Sequence, residues 1–284
     1  MDNTHKVINR AQKLEAFGRL LDIMDRLRLE CPWDKKQTIE SLRPLTIEET
    51  YELSDAIMKN DMPNISKELG DILLHIVFYS KIGEETNDFD IIAVIDNLCN
   101  KLVYRHPHVF ASTQVKDAEQ VIANWEQLKT KEKDGNKTIL SGVPDAMPAM
   151  IKAYRMQDKA RAVGFDWTER EQVWDKVAEE IGEFREELAG LEESFKDSKQ
   201  EYKERAEAEL GDVLFSIINA ARLYNLNPDT ALELTCNKFR SRFTYLEEQT
   251  IRKGKSLRDM SLEEMDKIWD EAKLLEKQNI IKNR

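Results

Sequence analysis

A chain of 284 residues, 41% hydrophobic and 34% charged, has room for one or two domains with real cores and solvated outer faces. Its formal net charge of −11 excludes a general nucleic-acid surface, although a bound cation would still let an acidic site take a phosphorylated ligand. Ten Gly and seven Pro are too few for a turn-rich β protein, and no sustained apolar–polar alternation marks strands, so an all-α fold is expected.

The first predicted helix covers Asn9 to Glu30 and stops at Cys31-Pro32-Trp33-Asp34. A second starts near Thr46, where Thr46-Ile47-Glu48-Glu49 has the form of a capping box, and is broken at Asp61-Met62-Pro63-Asn64. The third holds Glu68 to Ile82. A fourth runs from about Phe89 to Arg105, ending before His106-Pro107 because proline disfavours helix in the residue ahead of it. A fifth contains Trp125. The polar stretch Lys131 to Pro148, with Gly135, Gly142, Pro144 and Pro148, reads as a linker. Beyond it helices are expected from Met150 to about Val163, then at roughly 170–195, 199–224 and 228–251, by pattern and breaker signals. Asn227-Pro228 serves as cap and first turn, and Ser261-Leu262-Glu263-Glu264 caps a last helix carrying Trp269.

The longest apolar run, Ile72 to Tyr79, is interrupted by His75 and too short to span a bilayer. The polar start Met1-Asp2-Asn3-Thr4-His5 does not read as a signal peptide. The three cysteines (Cys31, Cys99 and Cys236) are scattered with no C-x-x-C spacing, so neither a zinc site nor a disulfide framework is expected. A cytoplasmic protein with no membrane and no nucleic-acid partner follows.

The chain repeats itself. Glu48-Glu49-Thr50-Tyr51-Glu52 followed by Glu68-Leu69-Gly70-Asp71 and an apolar run returns as Glu179-Glu180-Ile181-Gly182-Glu183 followed by Glu209-Leu210-Gly211-Asp212. Lys101 and Arg105 then match Lys238 and Arg242, and the segment around Trp125 matches that around Trp269. Two copies of one helical unit are expected, as domains 1–130 and 149–284 joined by 131–148.

Spacings of three and four place Glu180 with Glu183, and Glu209 with Asp212, on shared helix faces. Carboxylates so close repel unless a cation lies between them. Asp212 also opens the run Val213-Leu214-Phe215, Ile217, Ile218, apolar nearly all round as in a buried helix, where an unpaired carboxylate is costly. An acidic pair taken singly is ordinary surface, and Glu49 is a cap partner for Thr46. Duplication tips the balance to a metal site with ligands Glu180, Glu183, Glu209 and Asp212, and Glu49, Glu52, Glu68 and Asp71 in the first copy. Carboxylate-only ligation favours Mg²⁺, with Mn²⁺ as substitute, over zinc or iron. His75 has Ser216 as its counterpart, so it reads as a buried core histidine and not a ligand.

Gly70 and Gly211 cost about 1 kcal/mol each inside helices, which close helix packing would explain. Lys238 and Arg242, four apart, are either plain surface charge or the cations a polyphosphate needs beside a metal. Lys176 and Arg205, one turn before the acidic clusters, allow the same two readings. Trp125 and Trp269 are core or interface residues, or stack on a base.

These motifs, together with Cys31-Pro32-Trp33-Asp34, Arg105-His106-Pro107-His108-Val109-Phe110, Val163-Gly164-Phe165-Asp166-Trp167 and Lys238-Phe239-Arg240-Ser241-Arg242-Phe243, resemble the all-α nucleoside triphosphate pyrophosphohydrolase superfamily and, within it, the tandem MazG family. The resemblance implies Mg²⁺-dependent hydrolysis of ribo- and deoxyribonucleoside triphosphates to monophosphate and pyrophosphate by a homodimer, and links to nucleotide-pool cleansing and the stringent response. It implies that the four carboxylates of each copy hold metal, that Lys238 and Arg242 bind phosphate, and that the C-terminal copy carries the main activity. Glu179 or Glu180 would orient or deprotonate the water. Fifteen residues separate Glu52 from Glu68 but twenty-five separate Glu183 from Glu209, a departure between the copies. The competing reading is a non-catalytic helical protein that senses nucleotides or docks a regulatory partner.

Overall fold

The computed structural model describes residues 3–117, 120, 121, 124, 125, 128, 129, 138–167, 169–193 and 199–282. Among them every regular element is helical, and the chain divides into two compact units, Met1–Gln114 and Val115–Arg284. No helix among the described residues is long and apolar enough to cross a membrane, and Cys31, Cys99 and Cys236 are all free.

The first unit comprises α1 (Asn3–Glu30), α2 (Ile39–Met58), α3 (Met62–Thr86), α4 (Ile91–Arg105) and the single turn α5 (Pro107–Phe110). Its centre is a hairpin of α2 and α3. Met24 of α1, Leu42 of α2, and Val77, Phe78 and Ile82 of α3 form one buried cluster with Phe17, Leu20 and Leu45 packed around it. Full burial of such side chains stabilises by about 1.5–3 kcal/mol each. Asp61 caps α3 by accepting from the Asn64 amide, with Pro63 in the first turn where a missing N–H costs nothing. At the far end Asn87 takes the left-handed conformation (φ 59°) and folds Phe89 onto Gly83. A Cβ at Gly83 would lie 2.7 Å from the Phe89 carbonyl oxygen, so only glycine fits that crossing. Arg28, nearly buried, locks the unit. It donates to Glu85 (2.9 and 2.5 Å) and to the carbonyls of Asp34 and Gln37, and Glu85 in turn raises the guanidinium pKa while its own falls.

The second unit comprises α6 (Ala149–Ala162), α7 (Gln172–Glu193), α8 (Lys199–Leu223), α9 (Pro228–Arg252) and α10 (Leu262–Lys282). Here α7 and α8 form the hairpin, α6 packs on α8, and α9 pairs with α10. Val173, Val177 and Ala220 are its buried apolar cluster. Asn227 caps α9 by accepting from the Thr230 amide. Ser261 and Glu264 exchange hydrogen bonds ahead of α10 (2.9 and 3.3 Å), the capping box the sequence predicts. The lock is again an arginine: Arg222, 6% exposed, donates to both oxygens of Asp166 and to Asn219.

Several expectations need correction. α2 begins at Ile39, not near Thr46. Thr38 is the cap, in a reciprocal box with Ser41, and the Thr46 hydroxyl instead donates back to the Leu42 carbonyl and meets the Tyr79 hydroxyl at 2.7 Å. α3, Met62–Thr86, holds Glu68 to Ile82 as expected but also takes in Met62, Pro63 and Asn64 of the expected break. The apolar run of α8 is buried on one side only. Val213 and Ile218 face the unit, whereas Leu214, Phe215 and Ile217 are more than 40% exposed. Leu73 and Ile76 of α3, in register with Leu214 and Ile217, are exposed too, as is Leu69, the counterpart of Leu210. Close packing does not explain Gly70 and Gly211, because a Cβ at either would have open space around it. Trp125 is helical as expected, but Glu126, Gln127 and residues 131–137 of the expected linker lie outside the described residues.

Candidate metal centres

Each hairpin brings carboxylates from its two helices together. In the first unit, oxygens of Glu49 on α2 and of Glu68 and Asp71 on α3 all lie within 4.8 Å of one another. Glu68 is 4% exposed, with one oxygen bonded to Lys67 Nζ at 2.9 Å and the other buried without a hydrogen-bond partner. The same Nζ lies 3.9 Å from Asp71 and 4.0 Å from Glu52, which remains exposed outside the group of three. Burial pushes the Glu49 carboxyl pKa up, and the charges of Asp71, Glu52 and Glu68 push it further. His75, one turn beyond Asp71, is buried with Nδ1 unpartnered, and desolvation lowers its pKa. It sits in the core, as expected.

In the second unit the group is Glu180 and Glu183 on α7 with Glu209 on α8, again within 4.8 Å. Glu180 is buried and paired with Lys176 at 2.8 Å. Lys176 also takes Glu179 at 2.9 Å, and its own pKa rises in consequence. Desolvation, then the charges of Glu180, Glu209 and Glu179, raise the pKa of Glu183. Among the described residues no basic side chain pairs with Glu183 or Glu209. Asp212 is exposed and stands outside the group.

A divalent cation fits both groups. Three converging carboxylate oxygens, with the Glu49 and Glu183 pKa values raised by burial and by their neighbours' charge, and in the first unit an orphaned buried oxygen, are what such an ion would relieve.

The predicted phosphate-binding residues are placed separately. Lys238 is exposed on α9. Arg242 donates to Glu276 of α10 at 3.0 and 2.7 Å, and its guanidinium stands 5.8 Å from the centre of the Trp269 ring. Trp269 also packs against Phe239, ring centres 5.2 Å apart. Arg205 pairs with Glu201 and lies over Tyr202. Reasoning from sequence missed Lys67 and Glu276. Lys67 was legible in principle, since it precedes Glu68 directly and lies one turn before Asp71.

Fold and site together define an all-α protein built on two helical hairpins, each clustering three carboxylates able to hold a metal ion. Residues 37–110 and 169–246 each match the MazG nucleotide pyrophosphohydrolase domain, and the chain belongs to that family. It is accordingly an enzyme, a nucleotide pyrophosphohydrolase, as the tandem motifs lead one to expect. Over 267 residues it is 38% identical to the nucleoside triphosphate pyrophosphohydrolase of Escherichia coli, covering 92% of this chain and 98% of that one. The nucleoside triphosphate pyrophosphohydrolase/pyrophosphatase MazG of Thermotoga maritima is 39% identical over 260 residues, 90% of this chain and 95% of its own. An uncharacterized Bacillus subtilis protein, YabN, is 44% identical over 250 residues, which span 88% of this chain but 49% of YabN.

Proposed function

We propose that the enzyme hydrolyses ribo- and deoxyribonucleoside triphosphates to the monophosphate and pyrophosphate, with the second unit as its main catalytic site. One observation carries the reading. Glu180, Glu183 and Glu209 converge within 4.8 Å in a chain that spans nearly the whole length of a nucleoside triphosphate pyrophosphohydrolase. Glu180, Glu183 and Glu209 would hold Mg²⁺, or Mn²⁺ in its place, with Asp212, one turn beyond Glu209, as a fourth ligand. The corresponding set in the first unit is Glu49, Glu52, Glu68 and Asp71. Bound there, the ion supplies charge to the phosphate oxygens and acidifies water.

The chain's own residues do the rest. Glu179 or Glu180 orients the attacking water and takes its proton, and Lys176, bonded to both, sets where those carboxylates point. Attack on the α-phosphorus breaks its bond to the bridging oxygen and releases pyrophosphate. Lys238 and Arg242 receive that leaving group, for which Arg242 exchanges Glu276 for phosphate, while Trp269 steadies the guanidinium. Arg205 is a further cation for the triphosphate once it leaves Glu201. The functional domains are 1–130 and 149–284. A homodimer would cover the apolar faces at Leu69, Leu73 and Ile76 and at Leu210, Leu214 and Ile217. The cellular setting that fits is cytoplasmic cleansing of nucleotide pools, with a link to the stringent response.

The test is product analysis. Incubating ATP and dATP with the enzyme and Mg²⁺, then separating products by anion exchange, should give monophosphate and pyrophosphate. Diphosphate with phosphate would place the cut at the wrong bond, and intact nucleotide despite binding would make the protein a sensor.

A further inference from the structure

The second unit holds a cavity of about 490 Å³, within the range of roughly 300–1,000 Å³ usual for small-molecule sites. Met156, Gln157, Phe165, Trp167, Phe215 and Asn219 line it, with the Asp166–Arg222 pair alongside. Gln157 is 7% exposed, and its Nε2 donates to the Phe215 carbonyl at 2.8 Å. A carbonyl only accepts, so that bond fixes which way the amide lies and leaves Gln157 Oε1 as a buried acceptor with no donor. Asn219 is oriented by the same logic. Its Oδ1 accepts from Arg222 Nε at 3.1 Å and Nη2 at 2.9 Å, which leaves the NH₂ end for a ligand. The result is an aromatic-walled slot with one acceptor and one donor held in place by the protein.

The first unit fills these positions differently. Seven residues before Cys31 and before Gly164 stand Met24 and Gln157; seven after Asp71 and after Asp212 stand Phe78 and Asn219. Met24 and Phe78 are 1% and 2% exposed and belong to the apolar core. Packing alone is therefore satisfied by apolar residues here. A buried amide oxygen without a donor is destabilising, which points to something else supplying the hydrogen bond.

We propose that this cavity receives a nucleobase. Trp167 and Phe215 offer faces for a planar ring, Gln157 Oε1 accepts a ring or exocyclic N–H, and the Asn219 amide donates to a ring nitrogen or carbonyl. Asp212, Ser216 and Asn219, at i, i+4 and i+7, share one face of α8. At 1.5 Å per residue the cavity's Asn219 lies about 10 Å along the helix from Asp212, a span one nucleotide can bridge. The base is then that of the triphosphate whose phosphates sit at Glu180, Glu183 and Glu209, and the proposal rests on that reading of the site.

Two measurements separate the possibilities, using the full-length protein. In the first, KM and kcat for four ribonucleoside triphosphates are compared between wild type, Gln157→Met and Asn219→Phe, the residues the first unit uses. KM should rise about tenfold with a smaller change in kcat, and the ratios among bases should shift. The second is metal-free: saturation-transfer NMR from protein methyl groups to the base protons of phosphate-free nucleosides. Transfer should occur with wild type and be lost in both variants, whose unchanged thermal unfolding shows that the fold survives. Transfer to nucleosides in wild type with no triphosphate turnover would sink the hydrolase reading alone. Nucleoside binding that is lost in the variants without any change in KM would assign the cavity to a separate nucleoside and not to the substrate's base. No transfer in wild type, or transfer unchanged in both variants, overturns the proposal.

Discussion

The two hairpins use one four-carboxylate skeleton and complete it differently. The first gathers Glu49, Glu68 and Asp71 and leaves Glu52 outside; the second gathers Glu180, Glu183 and Glu209 and leaves Asp212 outside. The resident lysine has changed helix. Lys67 reaches Glu52, Glu68 and Asp71 from α3, and its counterpart on α8 is Ala208. Lys176 sits on α7, pairs with Glu179 and Glu180 and acts on Glu183 through its charge, and its counterpart on α2 is Leu45. In the first unit the ammonium group thus stands nearest Glu68 and within 4 Å of Asp71 and Glu52, whereas in the second it pairs with Glu180 on the opposite helix, and among the described residues no basic side chain pairs with Glu183 or Glu209. The difference teaches that the same ligand spacing can carry its counter-charge on either helix of the hairpin, touching Glu68 in one site and Glu180 in the other.

The comparison can be broken or sharpened by substitution. The largest effect is expected from Asp166→Ala, which strands the buried Arg222 guanidinium and should cost about 3–5 kcal/mol by chemical denaturation. Next, Glu183→Ala should lower pyrophosphate release by about 100-fold or more, while Glu52→Ala leaves most of it; the reverse outcome would move catalysis to the first unit. Gly83→Ala, whose Cβ meets the Phe89 carbonyl, should destabilise the protein by about 1–3 kcal/mol. Gly211→Ala has open space and should stabilise by about 1 kcal/mol through helix propensity. A lower melting temperature for Gly211→Ala would mean that another chain covers that face. Lys67→Ala, which copies Ala208, should tighten Mn²⁺ binding to the first unit several-fold, read by titration calorimetry in a Glu183→Ala background.

The smallest effect concerns pH. The Glu49 and Glu183 carboxyls titrate above their unfolded value, so the folded protein holds more protons than the unfolded chain across that interval. Their contribution is fully present below the unfolded pKa of about 4.3 and is lost as pH rises through the folded values. In chelator, the melting temperature should therefore gain less, or fall, between pH 5 and 7 than it does with Mg²⁺ present, since the ion offsets the repulsion.

Much of this was legible in the sequence because helical period and duplication are both local signals. E-E-x-x-E with E-L-G-D, occurring twice, predicted two copies of one helical unit and named four carboxylates for each, of which three converge. What was not legible depended on rotation or on neighbours far along the chain. Thr38 caps α2 through Ser41 and lacks the glutamate that marks the usual box, so the better-looking Thr46 drew the boundary seven residues late. The exposed side of Val213 to Ile218 could not be told from a buried one, because the apolar pattern says nothing of what covers it. The counter-charge exchange between Lys67 and Lys176 shows only once the helices are rotated against each other.

The arginine lock of each unit has a consequence for how the copies can have diverged. Arg28 closes on Glu85, whose register partner in the second unit is Leu226; Arg222 closes on Asp166, whose register partner in the first is Trp33. A chimera carrying α1 on the second hairpin would set the Arg28 guanidinium beside leucine in place of its carboxylate partner. The two halves, once interchangeable by descent, no longer accept each other's parts.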